Sequence, residues 1–134
     1  MGVMFWVGVA VAAVAGFVVG GLWYGPLFGK AWMAARGISK DDTAGMNMPL
    51  IFGTTFVLNL IASFALAIVL DHTPAQNSAF DAVQVSGAIA LFFIVTSIGV
   101  NYLFSRMSRK LFLIDAGYWV VIYIVMGAVL ALIH

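Results

Sequence analysis

The chain contains no cysteine and no glutamate, and only 8% of its residues are charged. Without cysteine there is no disulfide, no thiolate metal site and no cysteine nucleophile, and the redox compartment goes unmarked. Without glutamate the chain lacks the membrane-buried Glu on which the small four-span drug exporters depend. The formal net charge of +1 provides no basic surface for nucleic acid. No HExxH, GxSxG or P-loop pattern occurs, and no nucleophile–base pair can be named, so neither an enzyme nor a cofactor is expected. Met46-Asn47-Met48 is far from a complete soft-metal ligand set, and Asp71, His72, Asp81 and His134 follow no metal spacing, so no metal site is expected.

What fills the chain is apolar side chains: 64% of 134 residues are hydrophobic, against ~45–50% in soluble domains. That excludes a soluble fold, and the length leaves room for one domain. A helix needs about 20 apolar residues to cross the hydrocarbon layer. Stretches of that kind run over about 3–24, 49–70, 82–104 and 111–133. The short alternating segments of a β-barrel are missing. No Lys or Arg precedes the first apolar run, which distinguishes it from a secretory signal. The expected fold is all-α: an antiparallel four-helix transmembrane bundle over residues 1–134.

Charge placement orients it. Lys30, Arg36 and Lys40 follow the first span, and Arg106, Arg109 and Lys110 follow the third, so all 6 cationic side chains fall on one side. Cytoplasmic loops carry the excess of Lys and Arg, which predicts both termini outside a bacterial plasma (inner) membrane. Trp6 and Trp23, about 25 Å apart along a helix, suit the two interfacial aromatic belts. Between the first two spans, Pro26 is placed to open a short interfacial helix over about 26–36, and Gly37 to close it. Ser39 and Asp42 have the spacing of a capping box.

Small and polar residues suggest how the helices meet. Gly8, Ala12, Gly16 and Gly20 recur at four-residue spacing and form a groove for another helix, within the chain or in a second copy. Gly127 and Ala131 are a weaker instance. Thr55, Asn59 and Ser63 form one polar stripe and Ser97, Asn101 and Ser105 another, each on a single helix face expected to turn inward. The stripes serve either interhelical hydrogen bonds or a polar path; if a path, Asn59→Leu abolishes flux. Asn101 and Asp115 lie equally far from Ser108, which puts them at one depth across the third loop. Tyr118 shares the helix face of Asp115, and Arg106, Arg109 and Lys110 are near enough to compensate its charge. An intramembrane ionisable residue is a functional-site candidate. Gly21-Leu22-Trp23-Tyr24 and Gly99-Val100-Asn101-Tyr102 also form a faint echo, each ending a span before a basic loop.

These residues carry a resemblance. Trp23-Tyr24-Gly25-Pro26 with Phe28-Gly29-Lys30 and Trp32 is one anchor; Asn101 with Arg106 and Leu111-Phe112-Leu113-Ile114-Asp115-Ala116-Gly117-Tyr118 is the second. With a closing Met126-Gly127-Ala128, they resemble the bacterial domain-of-unknown-function family numbered seventeen sixty-one, small membrane proteins of four spans. The likeness covers nearly the whole chain. It departs from the family pattern at Gly25, where Ser is frequent, and at Asp115, where Asn is frequent, so it implies a hydrogen-bonding role at 115 rather than a catalytic charge. It supplies no activity, substrate or cofactor. It does focus attention on Trp23, Tyr24, Pro26 and Arg106 as a cytoplasmic-leaflet cluster that meets the third-loop hairpin. The expected function is a homo-oligomeric channel or transporter for a small solute or ion. The alternatives are an accessory or scaffold subunit of a larger membrane complex, or a lipid-binding protein. Membrane lipid and further copies of the chain are the expected partners.

Overall fold

A computed structural model describes all 134 residues, and it is entirely helical. Four helices are long and apolar enough to cross a membrane: Val3–Leu27, Met48–Asp71, Ala79–Phe104 and Arg109–Leu132. The first comprises α1 (Val3–Leu22) and a wider π-helical turn, Trp23–Leu27. A short helix, α2 (Gly29–Arg36), and a 3-10 turn, Lys40–Thr43, lead to α3 (Met48–Asp71). The third span is α4 (Ala79–Ile89), a π-helical segment Ala90–Val95, and α5 (Thr96–Phe104). The last span is α6 (Arg109–Leu132).

The helix starts follow from local chemistry. The side chains of Asn47, Ser78 and Ser108 accept the N–H groups of Leu50, Asp81 and Leu111, donors that would otherwise go unpaired in a first turn. Pro49 sits in the opening turn of α3, where its missing N–H costs nothing. The Asp42 carboxylate accepts the Ser39 N–H at 2.7 Å, the return bond of a capping box.

One boundary differs from expectation. Pro26 does not open the interfacial helix; the first span continues through it to Leu27 and α2 begins at Gly29. Proline cannot donate to the carbonyl four residues back, and the backbone answers by widening, with Phe28 N–H reaching Trp23 O at 2.8 Å. The turn is tight enough to demand glycine next: a Cβ on Gly29 would lie 2.5 Å from the Tyr24 carbonyl oxygen. Gly37 ends α2 with a φ of +74°.

α6 is the centre of the molecule. Gly8 faces Leu130 and Ile133, Gly16 faces Met126 and Gly20 faces Tyr118, so contacts ascend α1 as they descend α6. The row Gly8, Ala12, Gly16 and Gly20 therefore packs within the chain, against α6. The same opposed order links α1 to α3, where Phe5 meets Phe64 and Phe17 meets Phe52. Ser63 locks that pair by donating to Val9 O at 2.9 Å. The closest crossing joins α4 and α6: a methyl on Gly127 would lie 2.0 Å from Ser86 Oγ and 3.1 Å from Ala82 O. The residue read from sequence as a minor packing element thus sits at the tightest point of the bundle. Ile122 and Met126, both fully buried, fill the interior between these contacts.

Candidate functional site

At the basic end of the bundle, three spans converge on one carboxylate. Asp115 is 7% exposed. Tyr24, on the π-helical turn after α1, donates its hydroxyl to Oδ1 at 2.5 Å. Tyr102, on α5, donates to Oδ2. Beside this clamp, Trp23 Nε1 donates to the Ile114 carbonyl at 3.0 Å, and its ring lies against Gly117, where a Cβ would come within 3.0 Å of the indole. The π-helical turn places Trp23 and Tyr24 next to each other against α6. Tyr24 is flanked by Tyr118, with ring centroids 5.0 Å apart, and by Trp32 of α2 at 5.9 Å. Tyr118 in turn meets Trp119 at 5.0 Å, and the Arg36 guanidinium lies 5.8 Å from the Trp32 ring centroid.

The two sequence anchors thus meet, with changes in detail. Asn101, expected at the depth of Asp115, is exposed, and its neighbour Tyr102 bonds the carboxylate. Equal spacing from Ser108 concerns depth along the helices and leaves their rotation open. The real turn closes on Arg106 in the left-handed region, φ 58°, with Met107 N–H on Tyr102 O and Arg106 N–H on Leu103 O. Tyr102, not Asn101, is the residue of α5 that reaches α6. The signal for Tyr102 was the echo of the two span ends: Tyr24 and Tyr102 close it, and both bind the same carboxylate. Nor is the carboxylate ion-paired in the expected way. Arg106, Arg109 and Lys110 are all exposed, and both carboxylate oxygens are taken by tyrosine hydroxyls. Pro26 is exposed and shapes the turn rather than touching the clamp.

The two polar stripes part company. Asn59 and Ser63 are buried, and Thr55 half-buried. Ser97, Asn101 and Ser105 are all exposed, against the expectation that both stripes turn inward. Ser97 satisfies its hydroxyl on its own helix, donating to Phe93 O at 2.5 Å, as Thr96 does to Phe92 O at 2.9 Å. Such back-bonding frees a hydroxyl from needing a second helix, so the four-residue period is no guide to direction.

The arrangement ties three spans together at one carboxylate. It is the polar fastening of a four-span, multi-pass membrane protein. The profile of the family described as "Protein of unknown function (DUF1761)" matches residues 7–131, and the chain belongs to that family. No curated protein and no solved structure matches the chain.

Proposed function

We propose that this protein is a non-enzymatic plasma-membrane protein, with both termini outside, that assembles with copies of itself into a path for a small solute or ion. One observation carries the reading: the Asn101 amide of the third span, which unlike Ser97 and Thr96 has no bond to its own helix, faces away from its own bundle. No residue of α5 is buried, and the Asn101 amide points outward about one turn inside the basic end. A polar face turned toward hydrocarbon is costly, and a second copy meeting it removes that cost. The interior of a single copy offers no such route, because Leu66, Ile122 and Met126 close it at 2%, 0% and 0% exposure. Grouping of all 6 cations at the loops beyond the first and third spans supports the orientation.

The second reading is an accessory subunit. It is favoured by α3, where Leu50, Val57 and Ile61 lie along one helix face and are exposed at 64%, 52% and 59%, an apolar face suited to a foreign helix.

Purified protein in liposomes separates the two. Under the proposal, wild type passes small ions or neutral solutes, and Asn101→Leu loses that flux while remaining folded. A folded homo-oligomer that passes none of the solutes offered sinks the path; recovery only with foreign subunits favours the accessory role.

A further inference from the structure

We infer that the end of the bundle opposite the basic loops holds a binding site for a primary alkylammonium group, in a cavity walled by the start of α1 and the ends of α3 and α6. The cavity has a volume of about 470 Å³, within the range of small-molecule pockets. Its floor is apolar: Leu70 and Leu130 lie there at 3% and 6% exposure, beside the half-buried Phe5. Three polar side chains stand at the rim, Asp71, Gln76 and His134.

The rim is built to accept hydrogen bonds. The Asp71 carboxylate accepts and does not donate, and Gln76 brings an amide oxygen. His134 Nδ1 lies 2.7 Å from the Ala131 carbonyl oxygen. A carbonyl oxygen only accepts, so that nitrogen carries the proton, and in the neutral ring Nε2 is left as an acceptor. The backbone leans the same way. α3 and α6 present their carbonyl ends to the cavity and α1 its amide end, so partial negative charge prevails two to one. All 6 Lys and Arg belong to the loops at the opposite end, so none of them fills the cavity. What fits is a positive group with several donors on an apolar chain. An ammonium brings three donors to the rim, and a chain of a few carbons covers the floor. A carboxylate would meet Asp71 as a like charge. A metal ion would find one carboxylate and one imidazole, too few side-chain ligands to hold it. The site is separate from the tyrosine-clamped carboxylate and independent of whether copies conduct.

The test is equilibrium dialysis of radiolabelled hexylamine against the full chain in phosphatidylcholine nanodiscs at about pH 8, where free imidazole is neutral and an alkylamine still charged. Saturable binding of one hexylamine per chain, above the uptake of empty discs, is expected, and hexanoate should show none. Asp71→Asn should weaken binding about tenfold through loss of a hydrogen bond to a charged group. Asp81→Asn, which alters an exposed acid outside the cavity, should leave it unchanged. Discs containing phosphatidylethanolamine identify the source of the ammonium: displaced hexylamine assigns the cavity to that lipid's head group, and undiminished binding assigns it to a free amine. Uptake no greater than that of empty discs overturns the site, and so does equal binding of hexanoate; neither result depends on a variant that folds. Equal affinity of wild type and Asp71→Asn overturns it as well, because the amine then binds elsewhere.

Discussion

In the half of the bundle that holds the chain ends, all four spans bury residues against one another: Gly8 and Ala12, Leu66 and Leu70, Ala82 and Ser86, Met126 and Leu130. In the half that holds the basic loops, α6 alone does so, through Leu111, Ile114, Asp115 and Tyr118. There α3 between Met48 and Leu58 has no buried residue, α5 has none, and α1 has none beyond Gly16. The two halves are held by different physics. Lipid tails are as apolar as the helices, so the first half depends on close backbone approach at small residues. The second half, with little such packing, depends on hydrogen bonds: Trp23 to the Ile114 carbonyl, and Tyr24 and Tyr102 to Asp115. A region fastened at a few polar points leaves faces free, and those faces are where the proposed assembly occurs.

Substitutions can break that comparison. The largest effect is expected at the tightest crossing. Gly127→Ala should lower stability by about 3 kcal/mol, the upper range for overpacking, because the added methyl strikes Ser86. Steric trapping in bicelles measures it, and an unchanged stability would mean that α4 and α6 are further apart than described. Next comes the polar fastening. Asp115→Ala leaves two tyrosine hydroxyls unpaired and should cost about 2 kcal/mol, whereas Asp115→Asn should retain most of the stability. Equal losses in the two variants would instead assign the role to charge.

Two smaller effects run the other way. Arg106→Gly should raise stability by about 1 kcal/mol, since a side chain at φ 58° carries a steric penalty that glycine lacks. A loss there would reveal a contact of the Arg106 side chain that outweighs the strain. Gly53→Ala, in the unpacked half of α3, meets no atom within 4 Å and should gain roughly 0.5 kcal/mol from reduced backbone freedom. Thermal unfolding of both glycine variants side by side sharpens the contrast: opposite signs at Gly127 and Gly53 are expected, and a loss at both would show that the basic half is packed after all.

Much of this was legible without coordinates because apolar length and composition report directly on spans. All four were placed within three residues of their observed limits: 3–24 against Val3–Leu27, 49–70 against Met48–Asp71, 82–104 against Ala79–Phe104 and 111–133 against Arg109–Leu132. The meeting of Trp23 and Tyr24 with the third-loop hairpin was also readable, since two span ends on the basic side and a short turn leave few other arrangements. Rotation about a helix axis was not. Both polar stripes have the same period, and only back-bonding to Phe93 and Phe92 explains how the third-span hydroxyls tolerate an outward face. Asn101 and Tyr102 are adjacent, and which of them reaches Asp115 depends on the rotation of α5, which spacing along the chain does not set. The weight of Gly127 was hidden for a similar reason: a single glycine shows its importance only through what lies opposite, here Ser86.

The central claim is that copies meet on the outward face of α5 while the glycine row of α1 is spent within the chain. The absence of native cysteine makes single-cysteine cross-linking in membranes the most direct measurement. Oxidation of an Asn101→Cys variant should give a covalent dimer, and an Ala12→Cys variant, placed at a residue 0% exposed, should remain monomeric. Dimers through position 12 with none through position 101 would contradict the account.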